Sequence, residues 1–184
     1  MSELTLPSWA VVSPRRAEHI GRVVALVEQW AAARGVTEQE AARWRRAALL
    51  HDALRDATPA QLATFTPRGY WPEALWHGPA SAEAAGRDGE RDRGVLDAVH
   101  YHSVGSMEWD HAGRVLYLAD YLEPGRPHDR ERRAEWSARV PRELTTVLRE
   151  VAAERIEWRL QHGHHVLRES YDFWNSLAGD ASSS

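Results

Sequence analysis

The chain has 184 residues, 43% of them apolar, with 23 basic against 27 acidic side chains, which suits one compact domain with its own core. It contains no Cys, and all of its basic residues are Arg, so thiol nucleophiles, disulfides, iron–sulfur clusters, thiolate zinc sites and Schiff-base or phosphate-loop lysines are excluded. A net charge of −4 without a long basic run gives nucleic acid no electrostatic footprint, and no apolar run reaches bilayer length. The opening MSELTLPSWAVV lacks a charged start and a long apolar stretch, so no signal peptide is expected and the chain reads as soluble and cytoplasmic. The surplus lies in ten His and nine Trp.

Helical signals follow in chain order. Ser13 and Pro14 read as a cap and first-turn proline and Gly35 as a stop, bracketing a helix over 14–33. Thr37 with Glu40 three residues on is a capping-box signature that opens a second helix running towards Leu54. Thr58-Pro59 starts a short helix to Phe65, after which Pro67, Gly69 and Pro72 interrupt the chain before a short piece over 75–77. Further helices are expected over 91–103, 111–122, 128–138, 142–162 and 168–177, and the closing AGDASSS (178–184) reads as a frayed tail. The alternation in LTLPSWAVV suggests a strand, but its proline argues against one. The expected architecture is all-α, one helical domain over 1–184 with its core over 13–177.

Positions three, four and seven apart share a helix face. On that basis His19 joins Val23, Leu26 and Trp30, and His51 joins Trp44, Ala47 and Ala48 with Asp52 beside it. His102 joins Val95 and Val99, leaving His100 on the flank, and Asp120 joins Gly113, Leu116 and Tyr117. One histidine on an apolar stripe is most often a core residue with a hydrogen-bond partner. Four helices each turning an ionisable group inward are harder to explain, because burying such groups costs several kcal/mol apiece without compensation. There is no Lys and little Arg on these stripes, so a bound cation would balance them, and His with Asp suits iron, manganese, zinc or magnesium. His111 and His128 fall at loop or helix starts and read as surface. His162, His164 and His165 suit the negative end of a long helix and bring no carboxylate with them. Trp30 and Trp44 read as core, as do Trp71 and Trp76, for which stacking on a base is the lesser role. RDGERDRG and HDRERR read as solvated segments.

Adjacent His51-Asp52, with a histidine on the preceding helix and an aspartate downstream, resembles the HD-domain phosphohydrolase superfamily. Together SPRRAEH, LLHD, ALWHGP, YHSVG and YLADYLEPGR are similar to the bacterial HD-domain symmetrical bis(5'-nucleosyl)-tetraphosphatases, a likeness running from Ser13 to the closing YDFWNSL. The resemblance implies two metal ions, iron ahead of manganese or magnesium. His19, His51, Asp52 and Asp120 would hold one, and Asp52 would bridge to a second held by His77 and His102. It places Arg16, Arg55, Glu123 and Arg126 at the substrate, with Asp52, Arg55 and Arg126 carrying catalysis and Arg126 as the phosphate clamp. Arg55 stands where the family has Lys, Ile20 where Thr is common and His100 where Arg is typical. The segment between Asp52 and His77 is short for the family, and Gly105 matches its turn glycine. The implied activity is cleavage of diadenosine tetraphosphate into two ADP by a hydroxide shared between the metals. An HD nucleotidase or pyrophosphohydrolase acting on another nucleotide, and a non-catalytic nucleotide-binding HD protein, are the alternatives. The expected partner is the nucleotide alone, without nucleic acid or membrane; the oligomeric state stays open, a homodimer included.

Overall fold

The computed structural model describes residues 5–66 and 71–179, and its elements are all helical. α1 (Pro14–Arg34) starts behind Ser13, whose hydroxyl accepts from the Arg16 amide at 3.3 Å. It ends at Gly35, whose left-handed φ of 63° turns its N–H back to the carbonyls of Ala31 and Ala32. α2 (Glu38–Leu50) follows Thr37, which accepts from the Glu40 amide. Only half of the expected capping box forms there, because the Glu40 carboxylate is drawn to Trp44 Nε1 and Arg43 Nη1, both at 2.8 Å. The complete box heads α3 (Pro59–Leu62), where Thr58 and Gln61 satisfy each other's amides. α2 stops short of Leu54, which leaves His51 and Asp52 in the turn beyond it.

Residues 77–87 depart from expectation. A 3-10 turn at Glu73–Leu75 leads into α4 (His77–Arg87), where the sequence suggests only a fragment. Gly78 and Pro79 disguise this helix, yet both fall in its first turn, where the donor that proline lacks has no intrahelical partner to lose. Gly78 is also where α4 meets its neighbour: a Cβ there would lie 2.7 Å from the His100 carbonyl oxygen. That neighbour is α5 (Arg93–Tyr101), capped by Asp92, and α6 (His111–Leu122) is capped by Asp110.

The helices expected at 128–138 and 142–162 join into one element, α7 (Arg130–Gln161), broken at Glu143 (φ −128°, ψ 37°). Pro141 explains the break. It offers no N–H to the Ser137 carbonyl, which accepts instead from Trp30 Nε1 at 3.1 Å. The Pro141 carbonyl accepts from Arg34 Nη1 at 2.9 Å, so α1 splints the bend. α8 (Arg168–Gly179) runs two residues into the expected tail; residues 180–184 lie outside the described residues, as do Pro67 and Gly69. No described helix is long and apolar enough to cross a membrane.

α6 is the axis of the molecule. It packs on α1, α2, α5 and α7, and its aliphatic residues Val115, Leu116, Leu118 and Leu122 are buried on all sides. Val23, Leu26 and Trp30 of α1, Trp44 and Ala47 of α2 and Val95 and Val99 of α5 close on it into one core, each large aliphatic side chain contributing about 1.5–3 kcal/mol. α8 is seated by Ser170 Oγ, which donates to the Val104 carbonyl at 2.8 Å, and by Phe173 packed on Gly105. Gly105 has φ 93°, and a Cβ there would stand 2.3 Å from the Phe173 ring.

Candidate metal centre

Six buried side chains converge at one place from five segments. His19 comes from α1, His51 and Asp52 from the turn after α2, His77 from the head of α4, His102 from the end of α5 and Asp120 from α6. They sort into two groups, His19-His51-Asp120 and Asp52-His77-His102, each with its potential ligand atoms within 4.8 Å of one another. In the first, His19 Nε2 lies 3.2 Å from Asp120 Oδ1 and 3.3 Å from His51 Nε2. In the second, His77 Nε2 lies 3.2 Å from His102 Nε2, and Asp52 Oδ1 is 3.3 Å from the former and 3.5 Å from the latter. Asp52 joins the groups, because its Oδ2 stands 3.6 Å from the Nε2 atoms of both His19 and His51.

The other ring nitrogens decide which way the lone pairs point. His51, His77 and His102 donate from Nδ1 to the carbonyls of Ala48, Ala74 and Val99 at 2.7, 3.1 and 2.8 Å. A carbonyl can only accept, so each Nδ1 carries the proton and each neutral ring presents an Nε2 lone pair to the centre. Burial pushes the pKa of His51 down to about 4 and that of His77 to about 3, which keeps both rings neutral near pH 7. Lone pairs of His77 and His102 therefore face each other and a carboxylate oxygen, with the Ser103 hydroxyl, 3.1 Å from His102 Nε2, as the nearby donor. Acceptors converging on acceptors fit a cation, and imidazole nitrogen with carboxylate oxygen is a donor set suited to iron, manganese, zinc or magnesium.

The charge balance differs from the sequence expectation. Three arginines reach in, two from α1 and one from the loop after α6: Arg16 Nη1 donates to Asp52 Oδ2 at 2.6 Å, Arg22 Nε to Glu123 Oε2 at 2.5 Å and Arg126 Nη2 to Asp120 Oδ1 at 2.5 Å. The protein thus neutralises its own carboxylates, and the facing lone pairs, not uncompensated charge, make the case for metal. Burial favours the neutral acids, but neighbouring imidazoles and Arg126 hold Asp52 and Asp120 well below the usual carboxylate range.

Glu123 sits behind the centre. Its Oε1 accepts from His19 Nδ1 at 3.1 Å, and its Oε2 is taken by Arg22 and the Gly125 amide. Burial opposes its ionisation, yet these bonds bring its pKa down to about 2. The same contact orients the His19 ring, whose pKa is raised by Asp120 and Glu123 against the pull of burial. Arg126 stands half exposed at the open edge, also donating to the Asp120 carbonyl at 3.0 Å. The positive charge of Arg55 adds to burial in holding His77 neutral, and among the described residues no carboxylate lies within ion-pair distance of it. Arg22 and Ser103 escape the sequence reading, although one lies a helical turn after His19 and the other directly follows His102.

His100 lies against the rings of Trp71 and Tyr101, off the centre as its helix phase implies. Trp71 Nε1 donates to Glu169 and Trp76 Nε1 to the Trp71 carbonyl. His111, His128, His162, His164 and His165 are exposed and belong to neither ligand group.

An all-helical bundle holding paired histidine–aspartate groups at its helix ends defines the class. The family model of the HD domain matches residues 16–125, and the chain belongs to the HD-domain family. It is 37% identical over 73 residues to the symmetrical bis(5'-nucleosyl)-tetraphosphatase of Bacillus subtilis (strain 168), a match covering 39% of this chain and 36% of that protein. It is 37% identical over 53 residues to the protein of the same name from Staphylococcus aureus (strain NCTC 8325 / PS 47), covering 28% and 27%. The chain thus matches well under half the length of these curated relatives. A crystal structure from Clostridium acetobutylicum, described as a predicted HD superfamily hydrolase involved in NAD metabolism, superposes with a TM-score of 0.79 over 92% of both chains at 22% identity. That likeness is one of fold. The family and the paired ligand groups make the protein an HD-type hydrolase with side chains disposed to bind metal.

Proposed function

We propose that the protein cleaves diadenosine tetraphosphate symmetrically into two ADP as a cytoplasmic, two-metal phosphohydrolase, with iron the first choice of metal and manganese or magnesium the others. Asp52, shared between two groups of inward-turned imidazoles, is the observation that carries this reading. The names of the partial relatives supply the substrate. His19, His51 and Asp120 would hold one ion, His77 and His102 the other, and Asp52 both. When bound, such a pair supplies positive charge to phosphoryl oxygens and makes water acidic enough to attack near neutral pH.

The chain's own groups do the rest. The three Nδ1–carbonyl bonds and Glu123 hold the rings in the tautomer that exposes Nε2. Arg126, at the open edge, is braced on Asp120 through Nε and Nη2, which leaves Nη1 to donate to a phosphate oxygen, and Arg55 adds positive charge on the His77 side. Arg16 fixes the far oxygen of Asp52. ADP leaves as a stable anion, so no strong general acid is required.

The test is turnover of diadenosine tetraphosphate in oxygen-18 water, with iron, manganese and magnesium supplied separately under anaerobic conditions. ADP as the sole nucleotide, with one labelled ADP per turnover, is the expected result. Arg126→Ala should slow this cleavage by roughly ten- to a hundredfold with metal content unchanged, since a charge-assisted contact is worth about 1.5–3 kcal/mol. AMP plus ATP, or turnover of mononucleotides alone, would assign the protein to the HD nucleotidases or pyrophosphohydrolases. No turnover with any loaded metal would make it a nucleotide-binding protein.

A further inference from the structure

Beside the centre, α6, α7 and α8 enclose a cavity of about 490 Å³. Asp120, Arg126 and Ser103 line it where it meets the ligand groups, and Trp158 and Arg159 line it one helical turn beyond Arg155. Three of its arginines are fixed in the wall by main-chain oxygen or aromatic rings. Arg155 donates from Nη2 to the Ser103 carbonyl at 2.8 Å and lies over the rings of Tyr117 and Tyr121 at 4.4 and 5.6 Å. Arg133 donates to the Tyr121 carbonyl and covers the same ring at 4.1 Å, and Arg159 donates to the His165 carbonyl at 2.8 Å.

Each of the three is thus held in place by main-chain oxygen. Among the described residues, no carboxylate stands within ion-pair distance of any of them, whereas Arg16, Arg22 and Arg126 each hold one. The acids that share the lining are mostly spoken for: Asp120 by Arg126, and Glu154 by Arg132 at 3.0 Å, which leaves only the exposed Asp129 at the rim. Guanidiniums positioned by backbone and aromatic faces around a cavity, with no counter-charge, make an anion site. Trp158, 51% exposed, adds an aromatic surface on which the His162 ring already stacks at 4.4 Å, so a base would take the indole's other face or displace that ring.

We infer that this cavity binds one nucleoside diphosphate half of a nucleotide substrate, with Arg155, Arg133 and Arg159 on its phosphates and Trp158 against its base. The inference rests on the proposed function in taking the adjoining centre as the place of phosphoryl cleavage. α7 and α8 lie beyond the HD-domain match at 16–125, so the residues that select the substrate are supplied from outside the part that holds the ligand groups.

Calorimetric titration of the metal-loaded protein with ADP, inorganic tripolyphosphate and adenosine, taken separately, tests this. Arg155→Ala and Arg133→Ala should each weaken ADP and tripolyphosphate on the order of tenfold or more and flatten the salt dependence of binding. Trp158→Ala should weaken ADP and adenosine on the order of tenfold and leave tripolyphosphate unchanged. Elemental analysis should find the same metal content in every variant. Arg155 also packs on two tyrosines, so Arg159→Ala and Arg133→Ala decide the matter if Arg155→Ala does not fold. Unchanged ADP affinity in both of those would overturn the inference. Affinity lost in them, in a wild-type protein that does not cut diadenosine tetraphosphate, would overturn the proposed reaction and keep the cavity. Cleavage to ADP with affinities untouched would do the reverse.

Discussion

Replacing Asp52 by Asn should abolish most of the thermal stabilisation that metal confers, whereas His77→Ala should abolish about half of it. Asp52 faces both ligand groups, while His77 belongs to one. An ion present at about 100 times its dissociation constant stabilises the folded state by about 2.7 kcal/mol, so two independent ions contribute about 5.4 kcal/mol. In a chain of this size about 1 kcal/mol moves the melting temperature by roughly 2–4 °C, which puts the metal-induced rise near ~11–22 °C. Partners behind a ligand are already worth about 10- to 100-fold in metal affinity, so losing the shared carboxylate is set at about 100-fold for each ion. The same metal concentration then yields only about 0.4 kcal/mol per site, a rise of roughly 2–3 °C in all. His77→Ala should retain roughly 5–11 °C. Differential scanning calorimetry of chelated and metal-titrated protein, with elemental analysis alongside, measures all three. A full rise in Asp52→Asn, or complete loss of it in His77→Ala, would refute the shared-ligand reasoning.

Two further outcomes concern the scaffold. Gly105→Ala should destabilise the fold by about 2–5 kcal/mol, combining a left-handed backbone cost of about 1–2 with overpacking of about 1–3 against Phe173; an unchanged urea midpoint would show that α8 is not seated on this turn. The Asp92 carboxylate is held below its ordinary range chiefly by the Arg43 fork, at 2.6 and 3.1 Å. A carboxylate whose pKa is depressed by folding stabilises above its unfolded value, about 3.9, and that contribution fades as pH falls below it. Asp92→Asn keeps the cap on α5 but drops the charge, so wild type should exceed it in stability at pH 7 and the gap should close as pH falls through and below about 4. A gap that stays constant from pH 7 to strongly acidic solution would contradict this.

The inward faces are legible because helical period places His19 with Val23, Leu26 and Trp30, and His102 with Val95 and Val99, and the fold buries them as read. How the groups pair is not legible from helical period, since five segments meet only through tertiary packing; the family resemblance alone implies that grouping. The arginines mislead for a related reason: Arg16 and Arg22 start on a flank of α1 and Arg126 in the loop after α6, and long side chains carry their charge to places that a stripe of Cβ positions does not show. α4 hides behind Gly78-Pro79, which looks like a breaker unless its place in the first turn is known. Arg155 gives no signal at all, being one arginine among several on a long, polar helix whose neighbours Tyr117 and Tyr121 come from another element.

The carbonyls that receive the Nδ1 protons of His51, His77 and His102 each lie three residues earlier in the chain, in the same turn as the ring they aim. Steering is therefore local: each short segment arrives with its imidazole already pointed, using an acceptor that a helix end or tight turn leaves spare. Long-range packing has only to bring the segments to the right separation. A loosened core would pull the rings apart while leaving each one correctly aimed, so the centre would lose its grip through distance before it lost it through angle.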